Sequence, residues 1–592
     1  MKILLLASAY NGMCQRVHRE LVIDGHDVEI ELSRRKEDML RSAFRFRPEL
    51  IICPYLKYRI PDEIWRQFTC LIVHPGIEGD RGPSSLDWAI TDESPDWGVT
   101  LLQANEEMDA GDIWGTSAFP MRNVSKASIY RREVIQAAVK LIKAAINDFA
   151  GRGFRPRPLD YSSPRVRGRL LPLMNQERRA IDWDSDGCAD IVRKINAADS
   201  FPGVADSIGS HEVFLYGAVS DTGIEHDQTP GELVACSHGA ICRAARDGVV
   251  WIRQMKPIDR DSPYPFKLPA EDLTRHLLSD SDFRAGRPEI SSRAYREIRV
   301  ATKSGVAYVD FDFYNGAMNT DQCKRLKKCL EEVHAREDVR VVALMGGSDF
   351  WSNGIHLNCI EAARDPARES WLNINAINDV VRQIITMAGK VTVAALRNNA
   401  GAGGAIMPLA CDRVFIREGV VLNPHYRNMG LYGSEYWTYL LPRRVGRKMA
   451  QRLTRECAPL LASEALDIGV ADTLASEDWR DYHHELQSYC ESLARDRQFS
   501  KLVARKDQGL AQDERARPLE EYRQDELVRM KETFDDPESS YHSLRYQFVR
   551  KIPLPTKDEA KSRALRTVKK QVPAETTRTN SSRPEVAYEA SE

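Results

Sequence analysis

Short apolar runs alternate with amphipathic segments along the first 150 residues of the chain. The runs KILLLAS, HDVEIEL, ELIICPYL and CLIVH have the length and content of strands, and the segments between them place apolar residues at helical spacing. This alternation is typical of a parallel sheet with helices on both faces. The segment WGVTLLQANEEMDAGDIWGTSAFP predicts further strands, followed by a helix at about 128–149. We therefore predict a Rossmann-like α/β domain over residues 1–150.

The pattern changes after residue 150. Residues 151–175 begin with a stretch rich in proline and arginine that has no periodicity, as is typical of a linker. Residues 176–268 contain one helical segment and then short strands such as HEVFLYGAVS, separated by turns of glycine and aspartate. Short strands with such turns predict a small OB-like β-barrel. The polar stretch 269–295 is expected to be a second linker.

A second α/β pattern begins at residue 296. The run REIRVATKSGVAYVDFDF predicts a β-hairpin, NTDQCKRLKKCLEEVHAR predicts a helix, and VRVVALMGG predicts a buried strand. The run KVTVAAL predicts another strand, which leads into a glycine-rich turn and a helix. Charged helical segments follow, so we predict one α/β domain with C-terminal helices over 296–555. Residues 556–592 are poor in aromatic residues and rich in charged ones, which predicts a disordered tail.

Charge and cysteine content narrow the classes of function. Of 592 residues, 84 are Lys or Arg and 86 are Asp or Glu, so the net charge of −2 gives no general attraction to nucleic acid or to an anionic membrane. The twelve cysteines form no CxxC pair and no metal-binding spacing, and we predict no metal site. No apolar run is long enough to span a bilayer, and the first residues lack a secretory signal. We expect a cytoplasmic protein whose ligands are small molecules.

Two residues of the first domain carry candidate chemistry. His74 ends the predicted strand CLIVH, and Asp109 lies in the turn MDAGDI. Ligands of parallel sheets bind at the carboxyl ends of the strands, where an imidazole and a carboxylate can polarise a carbonyl and move a proton. On the residues alone, a strand-end histidine is more often structural, and Asp-Ala-Gly-Asp is more often a plain turn.

The motifs around these two residues occur in the order of a known family. His74-Pro75, DRGPSSLDWAI, WGVTLLQ and MDAGDI resemble the formyltransferases that use 10-formyltetrahydrofolate. The later segment from IDW to GELV is similar to the small barrel that follows in that family. The resemblance implies that His74 polarises the formyl oxygen and that Asp109 moves the proton. It also implies that the folate lies along the strand ends, near Arg81, Gly82, Pro83 and Ser84.

One position departs from the pattern of these formyltransferases. Where the family has an asparagine two residues before the histidine, this chain has Ile72. The amide donates a hydrogen bond to the developing oxyanion, and losing such a donor raises the barrier by about 3–4 kcal/mol. A thiol attacks as thiolate and needs less help than an amine, which must also shed a proton. Ile72, in the folate-binding region, therefore favours a thiol acceptor. The alternative is a domain that binds folate but is inactive.

Three segments of the last domain carry a second resemblance. YNGAMNTDQ, GGSDFWSNGIHL and NNAGAGGAIMPLACD resemble the crotonase superfamily of enoyl-CoA hydratases and isomerases. The resemblance implies a crotonase fold that binds coenzyme A, with the backbone N–H groups of Ile355 and Gly403 forming an oxyanion hole for a thioester. Gly354 and Gly404 would flank these donors and contact the ligand. The alternative is that the glycine run only lets a helix pack close to a strand.

The second domain also departs from its family. Ile406 and His425 stand where hydratases of the family have acidic residues, so ordinary hydratase activity is not expected. The loop GLYGSEYW instead carries Glu435 between Tyr432 and Tyr436. A carboxylate among aromatic side chains can have a raised pKa and act as a base, whereas the alternative is a surface glutamate. We predict Glu435 as the base, aided by Tyr432 or His425, with Tyr436 in contact with the ligand.

A folate-dependent formyltransferase module fused to a crotonase module resembles a family of hydrogenase maturation proteins. The resemblance spans nearly the whole chain. It implies formyl transfer from 10-formyltetrahydrofolate to coenzyme A, decarbonylation of formyl-CoA to carbon monoxide and CoA, and a role in a [NiFe]-hydrogenase maturation complex. Two alternatives stay open: a non-catalytic scaffold that binds folate and CoA, and an amine formyltransferase with an independent acyl-CoA activity.

Overall fold

The computed structural model describes residues 1–151, 153–278 and 295–552. The first domain is a six-stranded sheet in the order β2-β1-β3-β4-β5-β6. The first four strands of this order are parallel, and β5 and β6 are antiparallel to their neighbours. The strands are β1 (Lys2–Ala7), β2 (Asp27–Leu32), β3 (Leu50–Tyr55), β4 (Cys70–His74), β5 (Asp96–Gln103) and β6 (Ile113–Pro120).

Helices cover both faces of this sheet, as the sequence pattern predicts. Along β1, Ile3 and Leu5 pack into one core, and Leu4 and Leu6 pack into another on the opposite face, because successive side chains of a strand alternate. The helices are α1 (Gly12–Ile23), α2 (Lys36–Phe46), α3 (Asp62–Trp65), α4 (Ser85–Thr91), α5 (Lys126–Ile129) and α6 (Ile135–Ala150), the last two joined by a π-helical turn at Tyr130–Val134.

The middle domain is an antiparallel sheet in the order β7-β8-β11-β10-β9, with β12 beside β11. The sheet ends at β7 and β9, and no pair joins these two strands in the part of the chain that the structure describes, which fits the partly open barrel of an OB-like domain. The elements are α7 (Gln176–Arg179), α8 (Cys188–Ala198), β7 (Val204–Ile208), β8 (His211–Asp221), β9 (Leu233–Ser237), β10 (Ala240–Ala245), β11 (Gly248–Pro257) and β12 (Leu268–Pro269).

The prediction of a linker over 269–295 is wrong for its first residues. Helix α9 (Ala270–Leu277) begins there, and Ala270 and Leu273 are buried in the core of the middle domain. Arg275 and His276 are exposed, whereas Thr274 is buried and donates its hydroxyl to the Ala270 carbonyl, so this stretch is an amphipathic helix. The remainder of that stretch, from 279 to 294, lies outside the described residues.

The third domain is built on a six-stranded sheet in the order β13-β14-β16-β18-β20-β23. The predicted hairpin is confirmed as β13 and β14, and the other neighbouring strands are parallel. Two small sheets, β15-β17 and β19-β21-β22, stand beside it. The strands are β13 (Ile298–Lys303), β14 (Val306–Phe311), β15 (Ala317–Met318), β16 (Val341–Gly346), β17 (Gly354–Ile355), β18 (Val391–Leu396), β19 (Ala400–Gly401), β20 (Arg413–Arg417), β21 (Val421–Asn423), β22 (Leu460–Leu461) and β23 (Thr473–Ala475).

The helix predicted after the glycine-rich turn is absent from the described residues. The chain there forms two 3₁₀ turns, Ala402–Ala405 and Met407–Ala410. Pro408 lacks a backbone N–H and cannot lie in the interior of an α-helix without breaking it. An α-helix dipole therefore does not act at Gly403, although the first N–H groups of a short turn still have no partner within that turn.

Helices surround the third domain and extend beyond its sheet. They are α10 (Thr320–His334), α11 (Leu357–Ala362), α12 (Pro366–Ile385), α13 (Trp437–Glu456), α14 (Ala462–Asp467), α15 (Trp479–Arg495), α16 (Phe499–Ala516), α17 (Leu519–Asp535) and α18 (Ser540–Val549). The predicted tail at 556–592 lies outside the described residues. Across the described ranges, no helix has both the length and the apolar character needed to cross a membrane.

Candidate active sites

His74 is the last residue of β4 and is buried at the carboxyl end of the strand. Its Nε2 lies 2.9 Å from Asp80 Oδ2, so a carboxylate six residues along the chain holds the ring. Gly76 makes this contact possible, because a Cβ atom there would come within 2.2 Å of Asp80 Oδ2 and 2.4 Å of His74 Nε2. The Pro75-Gly76 turn therefore leaves space for the carboxylate to reach the imidazole.

Asp109 lies on the other side of the imidazole. Its Oδ1 is 3.8 Å from His74 Nδ1, which is longer than a hydrogen bond and leaves this nitrogen available to a ligand. Burial lowers the pKa of His74, but the hydrogen bond to Asp80 and the charge of Asp109 together raise it above its ordinary value. The site thus favours an imidazolium between two carboxylates, a group that can donate a proton or a hydrogen bond to a developing negative charge.

The structure places some of the residues predicted to contact folate at a cavity and others away from it. Ile72, Gly82 and Pro83 line a cavity of about 840 Å³ together with His74 and Asp109. Arg81 instead donates hydrogen bonds to the Met108 carbonyl and the Glu107 carboxylate, which fixes the loop that carries Asp109. Ser84 is buried and accepts a hydrogen bond from the backbone N–H of Met174.

The cavity lies between the first and third domains. Its wall in the third domain includes Asn398 and Asn399, which directly precede the glycine-rich turn, and Asp349 and Phe350, which precede the loop leading to Gly354. Arg131 of the first domain joins the two walls, because its guanidinium forms a 2.5 Å ion pair with Asp349. The cavity therefore extends from the imidazole to residues that directly precede the loops of the second candidate site.

Cationic side chains gather at this cavity. Arg132 and Arg417 both lie over the ring of Trp479, at 4.1 and 4.8 Å, and both line the cavity. Burial lowers the pKa of each to about 10, and the charge of another arginine adds to the effect: Arg122 acts on Arg132, and Arg16 acts on Arg417. An anionic ligand would relieve this repulsion, so this part of the cavity suits phosphate groups.

The two predicted oxyanion loops of the third domain meet. Gly354 and Ile355 form β17, and Gly403 lies in the 3₁₀ turn Ala402–Ala405. A Cβ atom at Gly354 would come within 3.1 Å of the Gly403 nitrogen, and one at Gly404 within 2.1 Å of the Ser352 carbonyl oxygen. Glycine at these positions lets the two backbone segments approach each other closely, which is the arrangement that the predicted oxyanion hole needs.

Glu435 is buried beside Gly403. A Cβ atom at Gly403 would lie 2.0 Å from Glu435 Oε1, so this oxygen points at the predicted oxyanion donor. The other oxygen, Oε2, accepts hydrogen bonds from the Tyr426 hydroxyl at 2.7 Å and from the Ser434 N–H at 3.2 Å. Burial raises the pKa of Glu435 to about 7, although the hydrogen bond from Tyr426 lowers it. A carboxylate with such a pKa can take up and release a proton near neutral pH.

Tyr432 and Tyr436 are the two tyrosines that the sequence places on either side of Glu435. Tyr432 packs on Trp437 and lies under the guanidinium of Arg529, and no hydrogen bond joins it to Glu435 in the described part of the chain. Tyr436 is fully buried, and its N–H is held by Glu526.

Ile406 and His425, which stand where hydratases carry acids, have different surroundings in the structure. Ile406 is part of the core. His425 donates from Nδ1 to the Asn423 carbonyl at 2.8 Å, and burial lowers its pKa, so its neutral ring lies beside Gly401.

Asp80 and Tyr426 bond to the candidate residues His74 and Glu435, and the sequence patterns do not single them out. Asp80 begins the motif DRGPSS, in which the family resemblance points only to the four residues after it, Arg81 to Ser84. A carboxylate shortly after a His-Pro-Gly turn is a signal that it can fold back to the imidazole. Tyr426 lies nine residues before Glu435, and the glycine at 433, where φ is +93°, lets its ring pack against the intervening loop. No local pattern indicates that contact.

Comparison with known proteins matches both halves of the chain. Residues 173–263 match the family Formyl transferase, C-terminal domain, and residues 301–557 match the family Enoyl-CoA hydratase/isomerase. A methionyl-tRNA formyltransferase from Roseiflexus castenholzii is 25% identical over 36% of this chain and 65% of its own length.

Two relatives resemble the whole chain. The hydrogenase maturation factor HoxX from Bradyrhizobium diazoefficiens is 42% identical over 93% of this chain and 95% of its own length. The crystal structure of HypX from Aquifex aeolicus in complex with tetrahydrofolic acid has 38% sequence identity and a TM-score of 0.88, covering 94% of this chain and 97% of that one. Both halves and their order are therefore shared with these two proteins.

Proposed function

The chain belongs to the HoxX/HypX family of hydrogenase maturation factors, and from that premise we propose that it makes carbon monoxide in two steps. The first step transfers a formyl group from 10-formyltetrahydrofolate to the thiol of coenzyme A. The second step splits formyl-CoA into carbon monoxide and CoA, and the carbon monoxide becomes a ligand of a [NiFe]-hydrogenase centre. The observation that carries the proposal is the placement of the Glu435 carboxylate against Gly403, beside a thioester-type oxyanion hole.

In the first step, the CoA sulfur attacks the formyl carbon of the folate, and the carbonyl electrons move onto oxygen. The His74 imidazolium stabilises that oxygen, and its ring is held by Asp80. The oxyanion then reforms the carbonyl and the carbon–nitrogen bond breaks, and the proton that the CoA thiol gave up passes through Asp109, 3.8 Å from His74 Nδ1, to the departing nitrogen. Ile72 offers no donor to the oxyanion, which is compatible with a thiolate attacker.

In the second step, the formyl oxygen lies in the oxyanion hole of Ile355 and Gly403. The Glu435 carboxylate takes the formyl proton, and the electron pair of that carbon–hydrogen bond becomes the lone pair of carbon monoxide. The carbon–sulfur bond breaks with its electrons on sulfur, which then receives the proton from Glu435. Tyr426 stabilises the carboxylate through its 2.7 Å hydrogen bond. Ile406 is a core residue at a position where hydratases of the family have an acid, so no carboxylate is present there to activate water.

The cavity between the domains supports a thioester that stays inside the protein. It holds about 840 Å³, touches His74 and reaches Asn399 beside the oxyanion loops. A pantetheine arm anchored by phosphates at Arg132 and Arg417 can carry the formyl group from one site to the other without release. A reactive acyl group enclosed in this way is protected from hydrolysis.

The test is to incubate the purified chain with 10-formyltetrahydrofolate and CoA in the presence of a haem protein that traps carbon monoxide. We expect stoichiometric tetrahydrofolate and carbon monoxide. Formation of neither product contradicts both steps and favours a binding scaffold. Folate turnover that requires an amine instead of CoA, without carbon monoxide, favours an amine formyltransferase. We expect His74→Ala to stop both products, and Glu435→Gln to stop only carbon monoxide.

A further inference from the structure

Two buried side chains from distant parts of the third domain hold the loop that carries Glu435. The first is Asn378, on α12. Its Oδ1 accepts a hydrogen bond from the Glu435 N–H at 2.8 Å, and its Nδ2 donates to the Ser434 hydroxyl at 2.8 Å. One amide therefore fixes both the residue that carries the carboxylate and the residue before it.

The second side chain is Glu526, on α17, which is also fully buried. Its Oε2 accepts hydrogen bonds from the Tyr436 N–H at 3.0 Å and the Ser434 hydroxyl at 3.3 Å. Its Oε1 accepts from the Thr438 N–H at 2.8 Å and the Thr438 hydroxyl at 2.6 Å. Glu526 thus caps the start of α13 from outside that helix, since the residue at the N-cap position, Tyr436, gives no side-chain hydrogen bond.

The conformation of this loop needs external support. Glu435 and Tyr436 both have a φ of +59°, in the left-handed region, although neither is glycine. Residues with a Cβ atom rarely adopt this region, and consecutive examples are held by the surrounding structure. Asn378 and Glu526 provide four of the hydrogen bonds that reach residues 434–436 from elsewhere in the chain.

Helix α12, which carries Asn378, also bonds to the segment that contains the predicted oxyanion donor Ile355. Asn373, five residues earlier on α12, accepts the His356 N–H at 3.0 Å and donates to the Met318 carbonyl at 3.0 Å. His356 directly follows the predicted oxyanion donor Ile355. One rigid helix therefore sets the distance between the oxyanion loop and Glu435.

We propose that Asn378 and Glu526 are positioning residues for the decarbonylation step, holding residues 434–438 so that the Glu435 carboxylate stays against Gly403. This inference rests on the proposed function of Glu435 as the base. Neither residue bonds to the oxyanion loops in the part of the chain that the structure describes, so neither touches the thioester. Their effect on the reaction passes through the geometry of Glu435.

The experiment compares variants of the full chain on synthetic formyl-CoA. Thr438→Val removes the hydroxyl that bonds to Glu526, and Thr438→Ser keeps it. Glu526→Gln replaces an accepting oxygen by an N–H₂ group, which cannot accept from Thr438 or Tyr436. We expect Thr438→Val and Glu526→Gln to lower kcat for carbon monoxide release by about 10- to 100-fold, since a displacement of about 1 Å at a reacting group has an effect of that size. KM should change by less than about twofold.

Formyl transfer to CoA provides the internal control for folding, because His74 lies in another domain. It should keep its wild-type rate in every variant, Thr438→Ser should restore kcat, and the exposed Glu532→Gln on the same helix should act as wild type. If Thr438→Val and Glu526→Gln retain full kcat, or if KM rises while kcat does not fall, Glu526 does not position the base. If the wild-type chain itself releases no carbon monoxide from formyl-CoA, the proposed function fails, and that result is distinct from failure of this inference alone.

Discussion

The carboxylate of Glu435 occupies the space that a side chain at Gly403 would need. A Cβ atom at Gly403 would come within 2.0 Å of Glu435 Oε1 and 3.0 Å of its Oε2. The proposed base and the proposed oxyanion donor are therefore adjacent, and the glycine is required for their contact.

Gly403→Ala tests this contact directly. The new methyl group cannot coexist with Glu435 Oε1, so the carboxylate must move away. We expect carbon monoxide release from formyl-CoA to fall by about 100-fold, while formyl transfer from folate to CoA continues. Gly509→Ala is the matched control, since a Cβ atom there meets nothing within 4 Å. A Gly403→Ala chain with normal carbon monoxide release would show that the adjacency has no part in the reaction.

The rate of decarbonylation should depend on pH through Glu435. Burial raises the pKa of this carboxyl to about 7, and the reaction needs the carboxylate. Carbon monoxide release should therefore rise with pH, reach half of its maximum near pH 7 and level off about one pH unit higher. Tyr426→Phe removes a hydrogen bond that lowers the pKa of Glu435, so its midpoint should move to higher pH. The measurement is the initial rate of carbon monoxide release from formyl-CoA at pH values below and above 7. A rate that does not change with pH would exclude Glu435 as the base.

Asp80 should be needed for formyl transfer. Its hydrogen bond raises the pKa of His74 and fixes the ring, so Asp80→Asn should lower that pKa and let the imidazole turn. We expect the CoA-dependent release of tetrahydrofolate to fall by about 100-fold or more, as happens when the carboxylate that orients a catalytic histidine is replaced by an amide. The exposed Asp92→Asn should have no effect. Decarbonylation of added formyl-CoA should be unchanged in both chains.

Ile72 should decide which acceptor the first site uses. Ile72→Asn supplies an amide donor at the wall of the cavity, where the related formyltransferases have asparagine. We expect transfer to a primary amine to become measurable, because a donor to the oxyanion lowers the barrier by about 3–4 kcal/mol. The comparison is the ratio of amine to CoA formylation in Ile72→Asn and in Ile72→Leu. An unchanged ratio would mean that this position does not select the acceptor.

The candidate residues can be singled out from the sequence, whereas most of the contacts that they make cannot. His74 and Asp109 could be paired because both lie at the sheet edge where ligands bind, and the structure places them 3.8 Å apart. Glu435 could be expected among aromatic side chains with a raised pKa, and it is buried with a pKa of about 7. Both predictions rest on patterns within short segments.

The missed residues depend on packing between separate segments. Tyr432 was expected beside Glu435, but the chain turns so that Tyr426 donates the hydrogen bond. The glycine-rich run was expected to start an α-helix, but Pro408 restricts it to 3₁₀ turns. Glu526 lies in a charged helical segment that resembles a solvated surface, and only the folded chain shows that this one carboxylate faces inward.

The capping of α13 by Glu526 makes the order of synthesis important. The ribosome adds Glu526 90 residues after Tyr436, when the rest of the Glu435 loop has already emerged. A chain that ends before Glu526 lacks the carboxylate that accepts hydrogen bonds from Ser434, Tyr436 and Thr438. The helix that carries Glu526 therefore completes the support of the Glu435 loop only after most of the third domain has been made.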